Sequence, residues 1–147
     1  MTRALLPTWP ARTIAVLATL GDGPHSIPVS APVRAGDAEI LLSLRRDRGS
    51  LARLRAEPRV ALTVLTGGDV AFTARGRARV AAEPLADAPD YVAVAIAVDV
   101  VDDHRQDAFT VTAGVDRDWV DDDERRALGA RVAALGRLSP PAAAAAV

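Results

Sequence analysis

The chain has 147 residues, a length that fits one domain. Half of the residues are hydrophobic but only 3% are aromatic, so the core must be built from Val, Leu, Ile and Ala. The 18 basic and 19 acidic residues nearly balance, which argues against a general nucleic-acid binder, and the lack of cysteine excludes disulfides, thiolate metal sites and cysteine nucleophiles.

The N-terminal segment does not have the pattern of an export signal. Pro7, Pro10 and Arg12 interrupt it, and the apolar run over residues 14–20 is short. No apolar run approaches the ~20 residues that a membrane-spanning helix needs. We therefore expect a cytoplasmic protein.

Three short strands are predicted at the start of the chain, over residues 13–20, 25–34 and 39–44. Turns rich in Gly and Asp separate them. Pro28 and Pro32 remove two ladder donors, so the second strand should be bulged or lie at a sheet edge. The sequence order predicts that the three strands form a meander.

A short helix is predicted over residues 50–57, with Ser50 as its N-cap and Pro58 ending it. Strands follow over 59–66, 70–82 and 91–101, and a last short one over 108–113. In the strand 91–101, one face carries Val and Ile, and the other carries the alanines Ala93, Ala95 and Ala97. Such a face of small residues predicts close approach by another surface, such as a second subunit.

The C-terminal region predicts an amphipathic helix over residues 121–137, capped by Asp121, with Leu128, Val132 and Leu135 at helical spacing. Residues 139–147 are predicted to be a disordered tail, so 1–138 form a single domain. Six or seven strands in succession, one inserted helix and one terminal helix predict a mainly β fold, a small antiparallel barrel.

The densest functional signal is the segment Ser43 to Ser50, placed between a strand and the short helix. Three arginines precede a helix N-terminus, where free backbone N–H groups and the helix dipole favour anions. Arginine also grips phosphate through paired hydrogen bonds. The segment predicts a phosphate cradle; the alternative is a solvated basic loop whose arginines pair with Asp47, Glu57 or Asp37.

Other polar features predict solvent contact or packing more readily than chemistry. Arg75, Arg77 and Arg79 fit the wet face of a barrel strand, and Trp119 fits a packing role before the last helix. The two histidines, His25 and His104, lack metal-ligand spacing, and the aspartates over 116–123 fit helix capping better than a calcium loop, so no metal site is expected. Hydrolase, Walker A and dinucleotide-binding fingerprints are missing, which leaves chemistry to a bound cofactor.

The ordered motifs of residues 13–83 resemble those of the pyridoxamine 5′-phosphate oxidase-like family, the FMN-binding split barrels. The segments that carry the resemblance are Leu17-Ala18-Thr19-Leu20, Asp22-Gly23-Pro24, Ile27-Pro28-Val29, Ile40-Leu41-Leu42-Ser43, the stretch Leu54 to Leu62 around Pro58-Arg59-Val60, and Ala74-Arg75-Gly76-Arg77-Ala78. Each motif is short, and the signal lies in their order and intervals.

This resemblance implies a split barrel that forms a homodimer, with two cofactor sites at the subunit interface. It implies that the flavin ring lies along the second strand and that the strand-to-helix segment holds the phosphate. The implied cofactor-binding residues are Pro28, Val29, Ser30, Ser43, Arg45, Arg48 and Ser50. FMN is the expected cofactor, with a deazaflavin (coenzyme F-420) as the alternative; some relatives bind haem or nothing.

Two departures from the family pattern lie at the short helix. Ser50 stands where relatives often have a basic residue, and Arg53 stands where they have asparagine. The residues at the chain end of the vitamin B6 oxidase are not recognisable, which argues against that specific activity.

The expected function is a flavin-type oxidoreductase acting on a small organic substrate, with no catalytic residue identified. The alternative is a non-catalytic cofactor-binding or sensing module of the same fold. A third hypothesis, a nucleic-acid binder using Arg75, Arg77 and Arg79, lacks the interleaved aromatics that stack on bases.

Overall fold

The computed structural model describes residues 5–138. The structure contains, in chain order, β1 (Ile14–Leu20), β2 (Pro24–Ser30), β3 (Val33–Arg34), β4 (Glu39–Arg45), α1 (Gly49–Ala56), β5 (Arg59–Thr66), β6 (Val70–Ala82), β7 (Tyr91–Asp103) and α2 (Asp122–Leu138). This confirms the predicted mainly β fold with one inserted and one C-terminal helix. Neither helix among these residues has the length and hydropathy needed to cross a membrane.

One antiparallel sheet holds all seven strands in the order β2-β1-β5-β6-β7-β4-β3. The sheet curls until β2 and β4 come into contact, although the ladders among residues 5–138 never join these two strands. The gap between them is the split of the barrel. The chain crosses it at Ala31, whose positive φ of 51° costs an L-residue roughly 1–2 kcal/mol.

The meander prediction is wrong for the third strand. β1 and β2 pair as a hairpin, but β4 pairs with β7 and β3. The run predicted as one strand over 25–34 breaks into β2 and β3, because Ala31 turns and Pro32 cannot donate to a ladder. As predicted from its prolines, β2 is an edge strand.

The barrel interior is filled by alternating aliphatic side chains from every long strand. Leu42, Leu62, Val64, Val94 and Ile96 are all fully buried there. Helix α1 adds Leu51 and Leu54 to the same cluster. The core is therefore aliphatic, as the composition required, with Phe72 as the one fully buried aromatic side chain among residues 5–138.

Helix α2 packs on the outside of the barrel. Its Ala134 and Leu135 bury Ala93 and Ala95 of β7 in a second apolar cluster. This confirms the predicted close approach by another surface at Ala93 and Ala95, and the surface that covers these two positions is the chain's own helix. Ala97 lies beyond the helix and is exposed.

Two further predictions about local structure meet different outcomes. The prediction of a strand over residues 108–113 is wrong, since this segment forms an isolated bridge from Phe109 to Gln106 and hydrogen bonds between Val111 and Asp69 but no strand. The predicted cap of α2 is confirmed, since the Asp121 carboxylate accepts hydrogen bonds from the backbone N–H groups of Asp123 and Glu124. The predicted tail, residues 139–147, lies outside the described residues.

Candidate functional site

A cleft of about 190 Å³ opens at the split of the barrel, beside the ends of β2 and β4. Six of the seven residues predicted to bind a cofactor line it: Pro28, Val29, Ser30, Ser43, Arg45 and Arg48. The fold brings them together because both strands end at the split. The sequence separates the two groups by more than ten positions, so their convergence is a property of the tertiary structure.

The β2 wall of the cleft is an edge strand with a fixed hydroxyl. Within residues 5–138, β2 pairs only with β1, so its outer backbone groups remain open to a ligand. The Ser30 hydroxyl accepts a hydrogen bond of 3.0 Å from Nη1 of Arg117, which holds it in place. This wall therefore offers a flat backbone edge and one oriented hydroxyl.

The opposite wall carries positive charge. Arg45 is half exposed, and its Nε donates weakly to the Asp47 carboxylate at 3.3 Å. Arg48 occupies the N-cap position of α1, where the first backbone N–H groups have no intrahelical acceptor. Two guanidinium groups, the Ser43 hydroxyl and a helix N-terminus suit a phosphate group.

Ser50, the seventh predicted residue, does not line the cleft. It is buried in the first turn of α1, where its hydroxyl accepts a hydrogen bond of 3.2 Å from Nη2 of Arg53. Nε of Arg53 donates in turn to the Thr19 hydroxyl at 3.1 Å. The prediction that Ser50 caps the helix is wrong, because Arg48 holds the N-cap position and makes no side-chain cap bond.

The third arginine of the loop also points elsewhere. Nη1 of Arg46 donates to the Pro89 carbonyl at 3.4 Å, and its backbone N–H bonds to Asp90. The loop alternative is partly right because Arg45 pairs with Asp47, whereas Arg46 contacts the connection between β6 and β7 instead of a carboxylate. Arg45 and Arg48 remain as the two loop arginines of the cleft.

Besides Ile27 and Leu44, which adjoin predicted residues in β2 and β4, three cleft residues from elsewhere in the chain escaped the sequence analysis: Tyr91, Leu128 and Arg131. Tyr91 starts β7 opposite Arg45, and the other two come from α2. The guanidinium of Arg131 lies 4.1 Å above the centre of the Tyr91 ring. A signal was present in the sequence, because Arg131 shares the helix face of Leu128 and Leu135, where an apolar residue is expected.

The remaining polar candidates are accounted for by pairing and packing. Arg75 pairs with Asp102 at 2.7 Å, and this hydrogen bond lowers the pKa of Asp102. Arg79 pairs with Glu39 at 2.9 Å, so these two arginines lie on a solvated face as predicted. Trp119 lies 5.2 Å from the Arg117 guanidinium, away from the cleft.

Several solved structures share this fold at low sequence identity. An F420 reductase is 16% identical, with a TM-score of 0.54 over 63% of this chain and 91% of its own. An FAD-binding protein from Mesorhizobium loti is 18% identical, with a TM-score of 0.51 over 62% and 82% of the two chains. A heme binding protein from Mycobacterium smegmatis is 16% identical, with a TM-score of 0.51 over 62% and 48%. At these identities the likeness shows the fold alone.

No curated protein matches the sequence. The family profile described as pyridoxamine 5′-phosphate oxidase matches residues 1–116, well over half of the 147 residues. The matched region contains all seven strands and α1, and it stops before α2. Together with the curled sheet, this match confirms the resemblance carried by the sequence motifs, and the chain belongs to the pyridoxamine 5′-phosphate oxidase family.

Proposed function

We propose that the cleft binds the phosphate of a flavin or deazaflavin and that the protein is an oxidoreductase acting on a small organic substrate. The observation that carries the proposal is the convergence of Ser43, Arg45 and Arg48 with the open edge of β2 around one cleft. The fold is shared with proteins named as an F420 reductase and an FAD-binding protein, which supports this class of cofactor.

The residues present fit such a cofactor. Arg45 and Arg48 would hold the phosphate, because two guanidinium groups at one cleft mouth attract a doubly charged group. Pro28 would flank the ring with its side chain and Val29 with its backbone, because the Val29 side chain is buried in the barrel core. When bound, the cofactor supplies hydride or electron-pair transfer, and the chain supplies position and positive charge. FMN is the first choice, and a deazaflavin is the alternative.

A homodimer is part of the proposal. The cleft of about 190 Å³ is smaller than the roughly 300–1,000 Å³ typical of small-molecule sites. One chain therefore offers room for only part of a flavin-sized ligand. A second copy facing the split would enclose the rest, which places the cofactor at the subunit interface.

A second candidate is a non-catalytic module that binds or senses a cofactor. The observation that favours it is the chemistry of the cleft walls, because no carboxylate or histidine lines the cleft formed by residues 5–138. Apart from Tyr91, whose ring lies under the Arg131 guanidinium, side chains suited to general acid–base catalysis are thus missing from these walls. Such a module would bind a cofactor saturably without turnover.

The test of the proposal is cofactor binding by the Arg45→Ala/Arg48→Ala double variant. Charge-assisted hydrogen bonds contribute about 1.5 kcal/mol or more each, so the double variant should bind about 100-fold more weakly. Absorbance titration and native mass spectrometry with FMN, F-420 and haem report affinity, cofactor choice and stoichiometry together. Thermal unfolding should be nearly unchanged, because both side chains are exposed.

The matched control is Arg46→Ala, which removes an arginine of the same loop that points toward Pro89. Its cofactor affinity should equal that of the wild type within twofold. Equal affinity in the double variant would refute the phosphate assignment. Binding without oxidation or reduction of any offered substrate would select the sensing module.

A further inference from the structure

Helix α2 carries four arginines, and Arg131 differs from the other three. Within residues 5–138, Arg125 and Arg126 pair with aspartates of the first helical turn, and Arg137 pairs with Asp87. Arg131 makes no ion pair there. Its Nε is buried and has no hydrogen-bond partner among the described residues.

The position of Arg131 is fixed by packing on both sides. Leu128 and Leu135, one turn before and one turn after, are buried against the barrel. The guanidinium lies 4.1 Å above the Tyr91 ring, a cation–π arrangement that holds its plane in place. The helix therefore directs a rigid, positively charged fork into the cleft wall.

A buried guanidinium N–H without an acceptor is unfavourable, because arginine stays charged and its donors lose water on burial. The other cleft cations do not relieve this, since Arg45 and Arg48 repel Arg131. Asp47 forms an ion pair with Arg45 at the exposed mouth of the cleft. With Arg45 and Arg48 assigned to the cofactor phosphate, Arg131 is the cleft arginine whose guanidinium has no anionic partner among the described residues.

We propose that Arg131, held over Tyr91, forms a second oxyanion subsite in the cleft and selects substrates that carry a carboxylate or phosphate group. The proposal rests on the proposed function in taking Arg45 and Arg48 as the holders of the cofactor phosphate. The substrate class is then a small organic acid or phosphate ester. The subsite combines Tyr91, inside the family match over residues 1–116, with Arg131 of α2, which lies after it.

The test uses acetate and inorganic phosphate as probes, followed by the arginine Nε–H signals in nitrogen–proton NMR spectra. The Arg45→Ala/Arg48→Ala background removes the first anion site. In this background the Arg131 signal, identified by its loss in Arg131→Gln, should move on titration. Arg131→Gln should lower oxyanion affinity about tenfold, since a charge-assisted paired contact is lost.

Two variants separate recognition from folding. Arg126→Gln, on the exposed side of the same helix, should leave oxyanion affinity unchanged. Arg131→Lys keeps the charge without the planar fork and should retain part of the affinity. All variants are checked by thermal unfolding, so a loss of binding in a folded protein reports on the subsite.

The possible results each decide the question. An Arg131 signal that responds to neither probe overturns the subsite. A tenfold loss of FMN affinity in Arg131→Gln overturns the substrate assignment, because Arg131 would then hold the cofactor's own phosphate. If the wild type takes up no flavin or deazaflavin while the Arg131 signal still responds, the proposed function fails and the subsite stands.

Discussion

Gly76 of β6 lies where two backbones approach too closely for any side chain. A Cβ at this position would lie 2.0 Å from the carbonyl oxygen of Ala97 and 3.0 Å from Cα of Val98. The ladder between β6 and β7 also shifts register at this point. Gly76→Ala should therefore destabilise the fold by about 3 kcal/mol or more, because neither backbone can move without breaking the ladder. Chemical denaturation measures this free energy of unfolding.

The matched control is Gly23→Ala, since nothing lies within 4 Å of a Cβ placed there. This change in the β1–β2 turn should alter stability by less than about 0.5 kcal/mol. Equal effects of the two substitutions would show that the close approach at Gly76 is not structurally important.

The arginines around the cleft show what a sequence can and cannot predict about single residues. The segment Ser43 to Ser50 is recognisable as a basic strand-to-helix connection, and the structure places half of its eight residues at one cleft. Which arginines face the cleft depends on the pairing of β4 with β7, since the backbone bond to Asp90 turns Arg46 away. That pairing joins residues about 45 positions apart and leaves no local signal.

Helix α2 shows the same division at the scale of an element. Its bounds and apolar face follow from Leu128, Val132 and Leu135 at helical spacing, and Asp121 marks its start. The surface against which α2 packs does not follow from the sequence, because an apolar stripe indicates that one helix face is buried but does not identify its partner. In the folded chain, the apolar face of α2 packs against the alanine face of β7.

Gly129 weakens α2 without serving any contact. It is exposed in the helix interior, and nothing lies within 4 Å of a Cβ built on it. Gly129→Ala should stabilise the protein by about 1 kcal/mol, because glycine costs the helix backbone entropy. The unfolding midpoint should rise by about 3 °C. The reverse change at an exposed position of the same helix, Ala133→Gly, should lower the unfolding midpoint by a similar amount. If both substitutions shifted the midpoint in the same direction, helix propensity would not explain the effect.

The end of β7 carries carboxylates whose pKa values depend on folding. Hydrogen bonds from Arg105 lower the pKa of Asp103 from 3.8 to about 2. A lowered pKa contributes stability above pH 3.8, and that contribution is lost as the pH falls from about 4 to about 2. The unfolding midpoint should decline over this range, and Asp103→Asn should reduce the slope. Because the pair is exposed, 1 M salt should also reduce it, and a slope unchanged in both tests would contradict the assignment.

At the scale of the molecule, the barrel has one covered side and one bare side. Helix α2 covers β4 and the start of β7, whereas the outward face of β1, β5 and the far part of β7 is open. The exposed apolar residues Val16, Leu65 and Val100 lie on this open face, each at a different position along the sheet. Val16 also pairs with Pro28 across the β1–β2 ladder, so this face adjoins the cleft that one chain leaves incomplete. We expect a second copy of the chain to pack here.

The dimer is tested with the double variant Val16→Glu/Leu65→Glu. Both side chains are about half exposed, at 45% and 50%, so glutamates at these positions stay hydrated in a single chain. In a packed interface the same carboxylates would lose water and destabilise the dimer. Sedimentation should show a dimer for the wild type and a monomer for the variant. Val120→Glu, a fully exposed position outside this face, should remain dimeric.

The same variant tests whether one chain holds a whole cofactor. Neither changed residue lines the cleft, and Val16→Gln, an uncharged change opposite Pro28, controls for a direct effect on the site; a site completed within a single chain would keep its affinity. Because the cleft of about 190 Å³ falls below the roughly 300 Å³ lower bound of typical ligand sites, we expect the monomer to bind FMN at least about tenfold more weakly. A monomer with undiminished affinity would show that one chain binds the entire cofactor. The cleft at the split would then be sufficient for binding without a second subunit.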